Sequence, residues 1–303
     1  MKELEGRVAI ITGAGRGIGR AHALLFAAEG AKVVVNDLGG DTDGTGADSS
    51  PAQQVVEEIT AAGGTAVANF DDVSDWDGAK HMIDEAVDAF GDVHVLVNNA
   101  GILRDRMLVN MSVDEWDAVI RVHLRGHFCP TRWAATYWRE ESKAGREAKR
   151  AVINTSSASG LFGNPGQTNY GAAKIGIATF TMIADSELSR YGVRVNAIAP
   201  AAVTRLTSGL TPVEPEGVGE EAWSPIGPEN VAPFVAYLGT EDCPIHGRIF
   251  LVAGGAVRLF QPFSVIDAIE KEGLWSVAEL KDEAARFADV PFIINNPSEG
   301  QMG

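Results

Sequence analysis

The sequence has few cysteines and no long apolar run, and both features narrow its class. Cys129 and Cys243 are the only cysteines in 303 residues, and neither lies in a CxxC motif or a Cys/His cluster. We therefore expect no structural zinc site and a reducing setting, the cytoplasm. The first ten residues, MKELEGRVAI, lack the apolar core of a signal peptide, and no stretch reaches the length of a transmembrane helix. No membrane association is expected.

Basic residues are also in short supply. The chain has 25 lysines and arginines and 41 aspartates and glutamates, which gives a formal net charge of −16. No basic block is available to neutralise phosphates, so a nucleic-acid partner is not expected. A phosphorylated small molecule needs only a local patch and is compatible with this charge. Hydrophobic residues make up 45% of the chain, which is enough for the core of one large α/β domain.

Glycine, in contrast, is concentrated near the N-terminus. The apolar run at 8–11 predicts a buried strand, TGAGRGIG follows at 12–19, and 20–29 predicts a helix. A strand, a glycine-rich turn and a helix in this order are typical of a dinucleotide-binding site. Glycines let the backbone approach a pyrophosphate, and the helix N-terminus supplies N–H donors and partial positive charge.

An acid follows the next predicted strand, which covers 32–35. Asp37 lies at the position, about twenty residues after the glycines, where a carboxylate accepts hydrogen bonds from the adenosine ribose hydroxyls. A carboxylate there would repel a 2′-phosphate. The sequence therefore favours NAD over NADP, although Arg16 would offset part of that repulsion.

Strands and helices alternate along the rest of the chain. Further strands are predicted at 65–70, 93–97, 151–153, 193–198 and 248–252, and helices at 51–62, 75–90, 113–138, 172–190 and 229–238. This pattern predicts one α/β domain with a Rossmann-like doubly wound parallel sheet, whose last strand is 248–252. The segment 38–50 is predicted to be a mobile loop near the adenosine, and 204–227 a lid over the substrate. Although 38–50 carries spaced acids, it lacks the closing glutamate of a calcium loop, so no metal site is expected.

One stretch carries residues suited to acid/base chemistry. Tyr170 and Lys174 are four residues apart, which places the phenol and the ammonium on one face of a helix. A nearby cation favours the phenolate and lowers the tyrosine pKa, which is ordinarily about 10. Ser157 follows the predicted strand at 151–153 and should lie at its carboxyl end, where open α/β sheets bind ligands.

Four separated motifs together resemble the short-chain dehydrogenase/reductase family: TGAGRGIG at 12–19, NNAG at 98–101, Ser157, and YGAAK at 170–174. The resemblance covers 1–255 and implies a Rossmann domain. In it Tyr170 is the acid/base, Lys174 lowers the Tyr170 pKa and binds the nicotinamide ribose, and Ser157 binds the substrate oxygen. The cofactor contacts expected from the motifs and from this resemblance are Gly13, Arg16, Gly17, Ile18, Gly19, Asp37, Asp72, Val73, Asn98, Ala100, Gly101, Tyr170, Lys174, Pro200, Val203 and Thr204.

The sequence departs from the family pattern in the helix at 113–138. The family commonly has an asparagine in the middle of this helix, as the fourth member of its catalytic set. Here the sequence is RVHLRG, and His123 takes that position. An imidazole can donate or accept a hydrogen bond, so His123 either takes part in a rewired proton relay or only packs and bonds the backbone.

Longer sequence runs indicate a subgroup of this family. DLGGD at 37–41, NNAGILRDR at 98–106, VHLRGHF at 122–128 and SSASGLFGNPGQTNY at 156–170 are similar to the (3R)-hydroxyacyl-CoA dehydrogenase domains of type 2 peroxisomal multifunctional enzymes, also known as 17β-hydroxysteroid dehydrogenases type 4. This similarity implies NAD-dependent oxidation of the 3-hydroxyl of a fatty or steroid side-chain hydroxyacyl-CoA. The charged segment at 140–150 and the absence of attached hydratase or sterol-carrier domains are unlike those enzymes, so we expect a free-standing bacterial relative. The resemblance implies a homodimer or homotetramer.

Three alternatives stay open. The first is a hydroxysteroid or other secondary-alcohol dehydrogenase that acts without CoA. The second is a 3-oxoacyl-carrier-protein reductase, which would need NADPH and is disfavoured by Asp37. The third is a non-catalytic nucleotide-binding module, which has no need of a tuned phenol. The C-terminal extension at 256–303, with a predicted helix at 276–287, packs either on its own domain or on a dimer partner.

Overall fold

A computed structural model of the chain describes residues 2–202, 224–261 and 263–290. Its strands are β1 (Val8–Thr12), β2 (Lys32–Asn36), β3 (Thr65–Asn69), β4 (Val95–Asn98), β5 (Arg150–Thr155), β6 (Val193–Ala201), β7 (Ile249–Ala253) and β8 (Ala256–Phe260). They form one sheet in the order β3-β2-β1-β4-β5-β6-β7-β8. Neighbouring strands are parallel except β7 and β8. The predicted doubly wound α/β sheet is confirmed.

Helices cover both faces of this sheet. They are α1 (Gly17–Ala28), α2 (Ser50–Ala61), α3 (Trp76–Phe90), α4 (Val113–Ile120), α5 (Gly126–Lys143), α6 (Ala158–Phe162), α7 (Thr168–Leu188) and α8 (Ala232–Gly239). Among the described residues, no helix is both long enough and apolar enough to cross a lipid bilayer.

The central strands are continuous apolar runs because both of their faces are buried. All five residues of β1 are buried. Successive side chains point to opposite faces, so Ile11 joins the core that includes Phe26 of α1, and Ile10 joins the core that includes Trp138 of α5. Fully burying a side chain such as Phe26 contributes roughly 1.5–3 kcal/mol.

The strand order places a crevice at one end of the sheet. From β1 the chain moves outward to β2 and β3, then returns to the other side of β1 with β4. The loops that leave β1 and β4 therefore diverge at their carboxyl ends. Open α/β sheets bind their ligands at this point of reversal.

The sequence predicted 248–252 as the last strand, and this prediction is wrong because the sheet has one more strand. A tight turn at Gly254, whose φ is +53°, reverses the chain into β8. β8 pairs antiparallel with β7 over its whole length. Exposure alternates along β8: Val257 and Leu259 are exposed and the residues between and beside them are half-buried, so one face of this edge strand lies in solvent.

The residues after Phe260 form a second unit. Its helix α9 (Val277–Glu283) begins at Ser276, whose side chain and that of Glu279 form a reciprocal capping box, as the sequence predicted. The helix ends earlier than predicted, because a 3₁₀ segment (Ala284–Asp289) replaces its last turn. The docking of this unit on its own domain or on a partner stays a prediction.

Candidate active site

A cleft lies at the carboxyl ends of β1, β2, β4, β5 and β6. Its walls include residues from the glycine-rich turn, the segment after β2, the NNAG segment and α7. The predicted site residues on its walls are Gly13, Arg16, Gly17, Ile18, Gly19, Asp37, Asp72, Val73, Ala100, Gly101, His123, Ser157, Tyr170, Lys174 and Pro200. Val203 and Thr204, with most of the predicted lid, lie outside the described residues.

The glycine-rich turn packs tightly against the segment after β4. Gly13 has a φ of +62°, and a Cβ there would lie 2.8 Å from the Cα of Ala100. A Cβ at Gly19, in the first turn of α1, would collide with the carbonyl oxygen of Gly13. Glycine is therefore required for the turn to close, and the closed turn aims the N-terminus of α1 at the cleft, a geometry suited to a pyrophosphate.

Asp37 has a fixed orientation at the end of β2. Its Oδ2 accepts a hydrogen bond of 2.7 Å from the Gly15 N–H, and its Oδ1 accepts one of 2.7 Å from the Gly39 N–H. Each carboxylate oxygen keeps a further lone pair for a ribose hydroxyl. The glycine-rich turn, the α1 N-terminus and this carboxylate together fit an adenine dinucleotide.

Asp72 also lies on the cleft wall, but protein groups already bond its carboxylate. Its Oδ1 accepts hydrogen bonds from the Ser74 N–H at 2.8 Å and the Ser74 hydroxyl at 2.7 Å. Its Oδ2 lies 3.4 Å from the Arg121 guanidinium. The cofactor contact predicted for Asp72 would have to share the carboxylate with these partners.

Asn98 is one of the expected cofactor contacts, but its side chain does not line the cleft. Its side chain is fully buried in the sheet and donates from Nδ2 to Thr131 Oγ1 and to Asn154 Oδ1, both at 2.9 Å. The next residue, Asn99, lines the cleft, and its Nδ2 donates to the Thr12 carbonyl at 2.9 Å. Asn98 therefore braces the strands, and it is Asn99 that ties the NNAG segment to β1.

The structure brings Ser157, Tyr170 and Lys174 together on one wall of the cleft. Ser157 is the N-cap of α6, and its Oγ accepts a hydrogen bond of 3.2 Å from the Ser159 N–H. Tyr170 and Lys174 lie one turn apart at the start of α7, with the ammonium 5.4 Å from the centroid of the phenol ring. The Lys174 ammonium donates a 2.6 Å hydrogen bond to the Thr155 carbonyl.

Burial dominates the protonation of this pair. It raises the pKa of Tyr170 to about 12, although a hydrogen bond with Ser157 opposes the rise. It lowers the pKa of Lys174 to about 7. The spacing of Tyr170 and Lys174 predicted a lowered Tyr170 pKa, whereas burial raises it. The physical reason is that an uncharged phenol and an uncharged amine are both favoured where water is excluded.

The long helix predicted over 113–138 is interrupted. A π-helical turn (Arg121–Arg125) separates α4 from α5 and carries His123. Single π turns inside helices often occur at functional sites. Pro130 lies soon after it in α5 and lacks the backbone N–H that would bond the carbonyl four residues earlier, so it weakens the preceding helical turn.

His123 is buried against Tyr170. Its ring meets the Tyr170 ring edge-on, and its Nε2 lies 2.8 Å from the Ile102 carbonyl oxygen and 3.1 Å from the Ile102 nitrogen. A Cβ at Gly101 would collide with this imidazole, so the glycine makes room for it. Burial, together with the charge of Lys174, holds the pKa of His123 well below its usual range. His123 is therefore neutral and fixes the segment that follows the NNAG motif.

The loop between β2 and α2 forms part of the cleft. Thr42 accepts a backbone hydrogen bond of 2.9 Å from the Leu103 N–H, and the Asp43 carbonyl accepts one of 2.7 Å from Arg104 Nε. Gly44 approaches the side chain of Ile102. The sequence predicted a mobile loop here, whereas these contacts connect it to the opposite wall of the cleft. Nothing in the local sequence signals such long-range pairing.

A comparison with protein families matches residues 7–214 to the short chain dehydrogenase family. The chain is 43% identical to the hydroxyacyl-CoA dehydrogenase ChsB1 of Mycobacterium tuberculosis, over 92% of this chain and 87% of that one. It is 47% identical to the peroxisomal multifunctional enzyme type 2 of Drosophila melanogaster, over 84% of this chain but only 40% of that longer one. A crystal structure of a short chain dehydrogenase from Mycobacterium avium superposes with a TM-score of 0.84 and 51% identity, and covers 95% of this chain and 96% of that one.

Proposed function

The chain belongs to the short-chain dehydrogenase/reductase family, and from this premise we propose that it oxidises the 3-hydroxyl of a (3R)-hydroxyacyl-CoA with NAD. Its class is that of an oxidoreductase acting on hydroxyl groups. The observation that carries the proposal is the grouping of Ser157, Tyr170 and Lys174 in a cleft that is also lined by the glycine-rich turn and Asp37. The similarity to a hydroxyacyl-CoA dehydrogenase over most of both chains supports the substrate class.

In the proposed mechanism the substrate hydroxyl bonds to Ser157 and Tyr170. The tyrosine phenolate takes the hydroxyl proton as the carbon–oxygen double bond forms. When bound, NAD⁺ would accept the hydride that leaves the oxidised carbon. The Lys174 ammonium opposes the effect of burial on the Tyr170 pKa. Holding base and substrate in one geometry removes the entropy cost of their encounter.

Residues of this chain would hold three parts of the cofactor, the pyrophosphate and the two riboses. The N-terminus of α1 with Gly13 and Gly17 would hold the pyrophosphate. Asp37, held by two backbone N–H groups, would bind the adenosine ribose. Lys174 would bind the nicotinamide ribose.

The preference for NAD over NADP rests on the charge balance around Asp37. A 2′-phosphate would bring a second negative charge against a carboxylate that is fixed in place. Arg16 lies on the same wall and directs its Nη1 toward the Gly40 carbonyl at 3.4 Å. Arg16 is therefore engaged with the loop and only partly offsets the repulsion.

Turnover of a substrate panel tests the proposal. The panel pairs NAD and NADP with (3R)- and (3S)-hydroxyacyl-CoA esters, steroid alcohols and simple secondary alcohols, and pairs NADPH with a 3-oxoacyl carrier protein. The proposal expects the highest kcat/KM for a (3R)-hydroxyacyl-CoA with NAD. Activity confined to alcohols without CoA, or to the carrier protein with NADPH, would replace it with the corresponding alternative. NADH binding without turnover of any substrate would indicate a binding module.

We also propose that the enzyme is a homodimer or homotetramer, which is supported by its family membership. The multi-angle light scattering mass of the purified protein tests this. A mass of one 32.0 kDa chain would overturn it.

A further inference from the structure

A second buried histidine lies beside the reaction centre and is not used by the chemistry described above. His127 is in the first turn of α5, four residues after His123, and is 1% exposed. His127 does not line the cleft, whereas His123 does. A polar ring in so buried a place needs hydrogen-bond partners, because an unpaired buried polar group is costly.

Backbone groups of His123 and Asn98 and the backbone at the end of β5 are its partners. His127 Nε2 accepts a hydrogen bond of 3.3 Å from the Thr155 N–H. The carbonyl of the same residue accepts the 2.6 Å hydrogen bond from the Lys174 ammonium. Thr155 is thus held on its amide side by His127, and it holds Lys174 on its carbonyl side.

The ring is uncharged at neutral pH. Burial lowers the pKa of His127 to about 3, with a further contribution from the positive charge of Lys174, while hydrogen bonding with nearby backbone groups opposes the shift. A neutral imidazole has one N–H and one lone pair. Because Nε2 faces the Thr155 N–H, the lone pair belongs on Nε2 and the proton on Nδ1.

We propose that His127 is a positioning residue, which fixes the Thr155 backbone so that its carbonyl holds the Lys174 ammonium beside Tyr170. The inference rests on the proposed function, since the position of Lys174 matters only if Tyr170 and Lys174 carry the reaction. A histidine that only filled space would need no acceptor at Nε2. The two roles therefore differ in what they require of a substitute.

Two variants separate these roles. His127→Gln keeps an acceptor at about the distance of Nε2 from the backbone, whereas His127→Leu keeps bulk and removes the acceptor. We expect His127→Leu to lower kcat by about tenfold with little change in KM, as for the loss of one hydrogen bond that acts on the transition state. His127→Gln should retain kcat to within about threefold. Thermal unfolding and circular dichroism verify that both variants are folded.

The pH profile gives a readout that packing alone would not move. When Thr155 no longer holds the ammonium in place, the phenolate loses part of its stabilisation, so the acidic limb of kcat for oxidation should shift to higher pH in His127→Leu. It should stay in place in His127→Gln. Wild-type kcat and pH profile in His127→Leu, or equal losses in both variants, would overturn the proposal.

A measurement without substrate keeps the inference separate from the proposed function. In protein with ¹⁵N-labelled imidazoles, the His127 resonances, assigned by their loss in His127→Gln, should report a neutral ring protonated at Nδ1. Protonation at Nε2 would overturn the positioning role whatever the enzyme oxidises. A wild-type protein that turns over none of the substrate panel would instead count against the proposed function alone.

Discussion

The imidazole of His123 meets the phenol of Tyr170 edge-on, with ring centroids 5.1 Å apart and an angle of 90° between the planes. His123, which the sequence resemblance places where the family commonly has an asparagine, therefore contacts the residue expected to move the proton. The same imidazole reaches the backbone of Ile102 through Nε2. His123 thus connects α7 to the segment that follows β4.

Replacement of His123 tests whether this connection matters for turnover. His123→Asn can still bond the Ile102 backbone, whereas His123→Leu leaves a buried polar group unpaired, which costs roughly 1–3 kcal/mol. We expect the leucine variant to have a kcat about tenfold below that of the asparagine variant, with a lower unfolding temperature. Steady-state kinetics and thermal denaturation measure both. Equal kcat values in the two variants would contradict the connection.

Removal of the Tyr170 hydroxyl should abolish turnover and spare cofactor binding. Tyr170→Phe deletes the proton acceptor, and general acid–base groups contribute roughly 10²–10⁴-fold to rates. We expect kcat to fall by about that factor and the NADH dissociation constant, measured by fluorescence titration, to stay nearly unchanged. Tyr191→Phe, away from the cleft walls, is the control and should behave as wild type. Near-normal turnover in Tyr170→Phe would disprove the catalytic assignment.

Loss of the Asp37 carboxylate should change cofactor preference. Asp37→Ala removes the group that is held by the Gly15 and Gly39 N–H groups, so the ribose loses its acceptor and a 2′-phosphate loses its repulsion. The ratio of NADP to NAD in kcat/KM should rise by about tenfold or more, as for the loss of a charge-assisted hydrogen bond. Glu57→Ala removes an exposed acid from α2 and should leave the ratio unchanged. A wild type that already prefers NADP would refute the cofactor assignment.

The loop after β2 should contribute to cofactor affinity. Gly44 and Gly46 both have positive φ, but only at Gly44 would a Cβ meet another residue, with Ile102 Cδ1 at 2.9 Å. Alanine at either site costs about 1–2 kcal/mol of backbone strain. The difference between the two variants therefore reports the contact with Ile102. We expect Gly44→Ala to raise the NADH dissociation constant about threefold more than Gly46→Ala does. Isothermal titration calorimetry measures both, and equal effects would show that the loop does not enclose the cofactor.

A third buried histidine, away from the cleft walls, should make the fold sensitive to acid. Burial lowers the pKa of His22 to about 3, and neither ring nitrogen has a hydrogen-bond partner in the described residues. The folded pKa is depressed below the ordinary value of about 6.5, so the unfolded state binds the proton first and stability falls as pH drops from about 6.5 toward 3.

His22→Leu removes this titration and replaces an unpaired polar ring with an apolar side chain. The free energy of unfolding, measured by urea denaturation between pH 7 and pH 4 (about the range of the titration), should decline less steeply in the variant. His81→Gln is the control. Asp71 raises the pKa of that exposed histidine, so its loss should not make the decline less steep. A wild-type slope in His22→Leu would show that His22 is not a source of acid lability.

Local sequence was sufficient for much of the fold and part of the site. Apolar runs followed by helical periodicity predicted the central strands, because side chains buried on both faces must be apolar. The glycine-rich turn, Asp37, Tyr170 and Lys174 follow from spacing along single elements. In each case the predicted role depends on neighbours in sequence or on the end of one strand.

The sequence alone thus determined the doubly wound class, the family, and the spacing of Tyr170 and Lys174. Only the tertiary structure decided that Asn99 rather than Asn98 faces the cleft, that a π turn carries His123, and that the protein's own groups raise the Tyr170 pKa. It also showed that Thr155 connects His127 to Lys174. The physical reason is that desolvation and hydrogen-bond partners arise between segments distant in sequence, and a local pattern carries no record of them.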